Sequence, residues 1–277
     1  MFHLIQTDSY AEFGFRRIVD AVKASNSQYT IFKLRPFDHV ITPIEGKLPG
    51  VDIPVVLWGM TTIERAVKHY GWKPGVFKND NFDMRILSEK YGTMMLNSDC
   101  KFYRLGEVPD FEGTIFIRPV HDSKSFTGQL VDDFEFKKWK DSLTEMKQEY
   151  ATVDLNTIVL IAEPKLRVEE ARFFVVNGQV VAGSTYRVEN RLIYKRIDKH
   201  NPAFIQMFDY AQYVTNIWTP CEAFVIDIAR VARGEGFDKF RVIEINCLNS
   251  SGFYETDMNA VVKAIENLCL TQKKKKN

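Results

Sequence analysis

At 277 residues with 45% hydrophobic content, the chain can bury a sizeable core, and because single cores stop growing near this size two domains are expected. That composition excludes disorder over most of the length, and 37 basic against 36 acidic residues leave no overall field to draw the chain onto nucleic acid, so phosphate contacts must be local. Cys100, Cys221, Cys247 and Cys269 stand far apart without a C-x-x-C pair, which points to reduced thiols in a cytosolic protein and away from zinc.

The N-terminal "MFHLIQTDSYAEFGFRR" meets charged residues too early for a signal peptide, and no apolar run reaches the about 18 residues of a membrane span. A soluble protein is expected. Residues 9–25 have helical apolar spacing, "YTIFKL" (Tyr29 to Leu34) and "PVVLWG" (Pro54 to Gly59) read as buried strands, and "TTIERAVKHYG" reads as a helix closed by Gly71. These pieces form a small open α/β unit. "GWKPGVF" reads as a turn-rich hinge and "NFDMRILSEKYG" as a short helix, which sets a domain boundary near residue 85. Trp72 and Trp218 are expected in the core rather than on a partner surface.

"LGEVPDFEG" is a polar connection to the strand "TIFIRP" (Thr114 to Pro119), which runs into "RPVHDSKSFTGQL". Arg118, Lys124 and Gly128 stand there among hydroxyl residues, a composition that wraps phosphates with cations and backbone N–H groups, or serves as an ordinary surface connection. The chain contains neither G-x-x-x-x-G-K-[ST] nor G-x-G-x-x-G. A helix is predicted over "VDDFEFKKWKDSLTEMKQEY", then a buried strand, "TIVLIAE" (Thr157 to Glu163), stopped by Pro164.

"VEEARFFVVNGQVVAGSTYRV" is the clearest hairpin, with a type I′ turn at Asn177-Gly178. A regular ladder sets Arg172 against Gly183 and Glu170 against Thr185, on one face with Arg187. Two arginines then meet one glutamate, either on a solvated face or at a site. In "AFVIDIARVARGEGFDKFRVIEIN" a turn centred on Glu235-Gly236 sets Asp227 against Glu244. Val242, Glu244 and Asn246 share a face in this register. Two opposed carboxylates in a buried sheet require protonation, a bridging cation, or an ion pair with Arg172 or Arg187. Oxygen ligands without His or Cys suit Mg²⁺. The closing "KKKK" reads as a solvated end, and the "NSS" sequon at Asn249 means little without secretion.

The succession of "FIRP", a Gly/Ser/Thr/Lys loop, a strand ending "AEPK", "EEARFFVVNGQVVAGSTYR", "FVIDIA" and "EINCLNSSG" resembles the ATP-grasp superfamily over roughly residues 90–270. "LWGMTTIERAVKHYGWKPGVF" and "YGTMMLNSD" bring it nearest to the R-two-K clade, found often in phages and bacteria. The resemblance implies an α+β ATP-grasp fold: an α/β domain over 1–85, then two subdomains, 86–165 with the phosphate loop and 166–277 with the metal site, gripping ATP. Arg118 would stand where the family usually has a phosphate-binding lysine, with Lys124 closing over the phosphates. Glu163 and Lys165 would lie at the adenine hinge, and Glu170 would take the ribose. Arg172 and Arg187 would face the phosphates or the anionic intermediate. Asp227, Glu244 and Asn246 would hold Mg²⁺, and Asn249, Ser250, Ser251 and Gly252 would line the acceptor side.

The implied activity is an ATP- and Mg²⁺-dependent carboxylate–amine ligase in the cytoplasm, of the host if phage-encoded, acting on small-molecule or peptide substrates and on neither membrane nor nucleic acid. A kinase on the same fold and a non-catalytic nucleotide-binding module are the alternatives. A metal-dependent nuclease also pairs Asp with a downstream Glu, but it commonly has a lysine where Asn246 stands.

Overall fold

The computed structural model describes residues 1–9, 12–35, 38–77, 83–121, 125–145, 152–189, 191–202 and 204–276. The first sheet takes strands β1 (Phe2–Gln6), β2 (Gln28–Leu34), β3 (Ile41–Glu45), β4 (Val55–Trp58) and β5 (Pro74–Gly75) in the order β3-β2-β1-β4-β5. β1 runs parallel to both β2 and β4, and every residue of β1 and β4 is buried, as in the centre of a sheet covered on both faces. Helix α1 (Glu12–Ala24) covers one face through Ile18 and Val22, and α2 (Ile63–Tyr70) covers the other through Ile63 and Ala66. Gly71 ends α2 in the left-handed region at φ 73°, its N–H returning to the Val67 carbonyl, as the sequence predicts. "GWKPGVF" differs from the expected hinge: Trp72 and Phe77 are buried in two separate cores, and Pro74–Gly75 adds the fifth strand.

Helix α3 (Met84–Tyr91) contains the expected boundary at residue 85, and its Met84, Leu87 and Tyr91 pack in the core of the sheet described next. That antiparallel sheet, β12-β11-β10-β13-β14, is built from β10 (Arg167–Val176), β11 (Gln179–Val188), β12 (Lys195–Ile197), β13 (Ala223–Val231) and β14 (Phe240–Cys247). Phe173, Val175, Phe224 and Ile226 point to α3 and to α5 (Ile205–Ile217). Phe174, Val176, Ala223 and Val225 point to α6 (Met258–Lys276), which also packs on α1. A smaller antiparallel sheet, β6-β9-β7-β8, joins β6 (Lys101–Arg104), β7 (Thr114–Pro119), β8 (Gln129–Asp132) and β9 (Ile158–Ala162), with α4 (Asp133–Glu145) on one side. Among the described residues no helix is long and apolar enough to cross a membrane.

The Asn177-Gly178 turn forms with both residues at positive φ and sets Val176 against Gln179, but the ladder beyond is not regular. Two bulges intervene, so Arg172 lies opposite Ser184 and Glu170 opposite Arg187, in place of the expected Gly183 and Thr185. In the other hairpin Asp227 does face Glu244. A bulge just beyond them sets Val242 against Ile228, which turns Val242 into the core beside Ile245 instead of onto the face of Glu244.

The first sheet is fastened to α6 by buried polar groups. Trp58 Nε1–H donates to His3 Nδ1 at 3.0 Å, which leaves the proton of the fully buried imidazole on Nε2, 3.1 Å from Glu266 Oε1. Ser25 and Ser27 donate to the same oxygen at 2.8 and 2.6 Å. Burial pushes the Glu266 carboxyl up, but the bonds from His3, Ser27 and Ser25 outweigh it and draw it from its ordinary 4.5 to about 2. Burial lowers His3 from 6.5 against the opposing pull of Glu266.

Both shifts leave the unfolded chain holding more protons than the folded one as the pH falls, so stability is lost first below 6.5 and then between 4.5 and about 2. Glu266→Gln is expected to cost about 2 kcal/mol at pH 7. Denaturant titrations should show the gap from wild type narrowing between pH 5 and pH 3; a constant gap would contradict the role given to Glu266.

Candidate functional site

The α6-facing side of the larger sheet is apolar at one end and polar at the other. At the polar end Arg172 of β10 grips Asp227 of β13 through two parallel bonds, Nε to Oδ1 at 2.9 Å and Nη2 to Oδ2 at 2.8 Å. Their side chains are 11% and 2% exposed. Glu244 of β14 lies beside Asp227 and is met from the smaller sheet by Arg118 of β7, Nη1 to Oε2 at 2.8 Å. Asn246 completes the group, its Nδ2 donating to Glu244 Oε1 at 3.0 Å and to Asp227 Oδ2 at 3.3 Å. Each carboxylate therefore has its own guanidinium. The ion-pair solution left open by the sequence is the one found for Asp227, with Arg172 as the partner; Arg187 does not supply it.

Burial is the largest influence on Asp227 and pushes its carboxyl up, reinforced by Glu244 and Glu170 and opposed by the Arg172 fork. Burial pushes Glu244 up too, but Arg118, the Asn246 amide and the Arg172 charge together bring it below its ordinary value. Arg172 is lowered by burial and raised by more through Asp227, so it stays charged.

The other predicted residues fall around this group. Glu170 is buried 2.9 Å from Arg167 Nη1 and pairs across the strand with half-buried Arg187. Arg118 Nε is buried without a hydrogen bond among the described residues, a costly state that a polar ligand beside it would relieve. Glu163 and Lys165 form a small cluster at the edge of the smaller sheet, tied by Asp99 Oδ2, which accepts from Glu163 N at 3.0 Å and from Lys165 Nζ at 2.7 Å. Lys124 lies outside the described residues.

The predicted acceptor segment divides. Asn249 is buried, accepting from Phe77 N at 2.8 Å and donating to the Leu57 carbonyl at 2.5 Å, so its amide staples the first sheet to the larger one. Ser251 Oγ turns back to the Cys247 carbonyl at 2.7 Å. The Gly252 carbonyl reaches Arg172 Nη1 at 3.5 Å, and Ser250 is half-buried beside them. Sequence reasoning missed Asp99, Tyr186 and Tyr254. "YGTMMLNSD" carried the first, whereas both tyrosines reach Arg172 through backbone irregularities: Tyr186 is the extra residue of a bulge, and Tyr254 has φ 49°.

Among the described residues no three His, Cys, Asp or Glu side chains cluster as a metal site. Asp227, Glu244 and Asn246 nonetheless fit Mg²⁺, which is commonly held by one or two carboxylates together with substrate phosphates. The Asn246 amide can present oxygen in place of nitrogen by a flip of its last bond.

Asp227→Ala leaves a buried guanidinium without its counter-charge and is expected to cost about 3–5 kcal/mol, most of it recovered when Arg172→Met is added. Urea denaturation of the two single variants and the double checks this; a loss below about 1 kcal/mol for Asp227→Ala would mean the pair carries little.

No curated protein matches the sequence. In fold, the chain is similar to D-alanine–D-alanine ligase from Bacillus anthracis complexed with ATP, at TM-score 0.60 and 12% identity over 100% of both chains. It is also similar to a RimK domain protein ATP-grasp from Sphaerobacter thermophilus DSM 20745, at 0.53 and 14% over 97% of this chain and 96% of that one. A third likeness is to the ATP-grasp ligase PsnB complexed with precursor peptide PsnA2 and AMPPNP, at 0.52 and 11% over 96% and 97%. The model of the ATP-grasp domain, R-two-K clade family 3, matches residues 60–265. The chain has the ATP-grasp fold and belongs to the R-two-K clade of the ATP-grasp superfamily.

Proposed function

We propose that this protein is an ATP- and Mg²⁺-dependent ligase that joins a carboxylate to an amine. The observation that carries the reading is the convergence of Arg118, Arg172, Asp227, Glu244 and Asn246 from two sheets into one contiguous polar group. The solved structures support it: the D-alanine–D-alanine ligase is complexed with ATP, and PsnB with a minimal precursor, Mg and ADP.

In this reading a substrate carboxylate oxygen attacks the γ-phosphorus of ATP, the bond to the β-phosphate oxygen breaks, and ADP leaves. The acyl phosphate is then attacked at its carbonyl carbon by the amine nitrogen, phosphate departs, and the nitrogen loses a proton. No side chain has to act as nucleophile, so the protein contributes position and charge. Arg118 holds phosphate oxygens, a task the resemblance also gives to Lys124. Arg172, kept in place by Asp227, and Arg187 face the anionic oxygens of the intermediate. Glu163 and Lys165 border the adenine and Glu170 takes the ribose. Asp227, Glu244 and Asn246 would hold Mg²⁺, whose chemistry would be to neutralise phosphate charge. Ser250, Ser251 and Gly252 border the amine side, with Asn249 fixing where that segment leaves the sheet.

With ATP, Mg²⁺ and an amino-acid mixture, ADP release is expected together with an amide product identified by mass spectrometry. Glu244→Ala should lower ADP release by about 100-fold or more while remaining folded by circular dichroism. Chelation of Mg²⁺ should stop turnover and re-addition restore it. Undiminished release in Glu244→Ala would remove the proposed site, and a phosphorylated hydroxyl as the product would make the protein a kinase.

A further inference from the structure

Three tyrosines form a ladder that begins at Arg172 and ends in solvent. The Arg172 guanidinium lies 5.8 Å from the Tyr186 ring centre and 5.2 Å from that of Tyr254. Tyr186 stacks on Tyr254 at 5.3 Å, and Tyr194 stacks on Tyr254 at 5.2 Å with the planes 18° apart. Tyr194 is 44% exposed.

An exposed ring on a loop is ordinarily loose, but this one is fixed on both sides. The buried Thr185 hydroxyl donates to the Ile193 carbonyl at 2.8 Å and accepts from Lys195 N at 2.9 Å, so the residues before and after Tyr194 hang on one oxygen. Tyr254 is placed as firmly. Its backbone sits at φ 49°, a conformation that costs a non-glycine residue free energy, and its neighbour Glu255 donates its N–H to Ser184 Oγ at 3.1 Å. Rigid aromatic area of this kind binds at little entropic cost.

The stacking chooses the occupant. Tyr186, Tyr254 and Tyr194 already stack in series at 5.3 and 5.2 Å, and a further aromatic ring extends that offset stack at its exposed end. Tyr254 also lies two residues beyond Gly252, the last of the residues proposed above to border the amine side.

We propose that Tyr194 and Tyr254 select the amine substrate of the ligase, and that this amine carries an aromatic ring which stacks on Tyr194. The inference rests on the ligase reading above and names its substrate class.

Saturation-transfer NMR tests it on the whole chain with Mg²⁺ and ADP, using L-phenylalaninamide, L-leucinamide and L-lysinamide as probes. The expected result is strongest saturation on the ring protons of phenylalaninamide, with a Kd about fivefold to tenfold below that of leucinamide. Tyr194→Ala should abolish the difference and Tyr194→Phe should keep it. Equal binding of the three amines, or a preference that survives in Tyr194→Ala, overturns the inference. Saturation of ADP in the same sample separates the two levels: ADP bound without aromatic preference defeats the ladder alone, and ADP unbound defeats the nucleotide site and the ladder with it.

Discussion

A guanidinium that neutralises a buried carboxylate is what allows the larger sheet to keep a polar end. Arg172 and Asp227 lie on neighbouring strands, both largely removed from water, and each makes the other tolerable there. A well-packed apolar pair would serve stability at least as well, so stability alone does not explain the arrangement. The pair acts as a support. It holds a cation at the polar end of the sheet with no freedom to wander, and it lets Glu244 and Asn246 stand beside a second carboxylate without net repulsion.

The sheet spends its two faces differently because of where apolar residues end. One face is aliphatic and aromatic along its length and seats α3 and α5, while the other is apolar only as far as Phe174 and Val225, where α6 and the first sheet cover it. Beyond that point the same strands carry Arg172, Asp227, Glu244 and Asn246. Arg118 approaches from the smaller sheet, whose Leu160 and Ala162 share a core with the larger one, so the polar end lies where the two sheets meet. The ladder of tyrosines continues from the same guanidinium toward solvent.

Much of this was legible in the sequence, to the extent that short-range chemistry controls it. Asn177-Gly178 announced its turn, Gly71 its helix end, and the apolar run of Val55 to Trp58 a buried strand. The Asp227–Glu244 pairing followed from a presumed tight turn, although residues 236–239 form a helical turn within a longer connection. Bulges were not legible, because an extra residue in one strand is decided by twist and by contacts with other elements. Hence Ser184, not Gly183, came to face Arg172, and Tyr186 joined it. β1 escaped notice because His3 and Gln6 break its apolar pattern; the partners that compensate His3, Trp58 and Glu266, are 55 and 263 residues away. Asn249 illustrates the same limit, since a polar residue beside a site reads as functional until its amide is found bonded to the first sheet.

The central claim is that the oxygens of Asp227, Glu244 and Asn246 receive a divalent cation that arrives with a nucleoside triphosphate. A crystal grown with AMPPNP and Mn²⁺, with the cation located by its anomalous signal, tests it most directly. The account predicts a peak at about 2.0–2.2 Å from a Glu244 oxygen and within reach of Asp227 or Asn246, with Arg118 on the phosphates. A nucleotide bound with its cation elsewhere, or a cleft in which Arg118 stays on Glu244 and no cation enters, would contradict it.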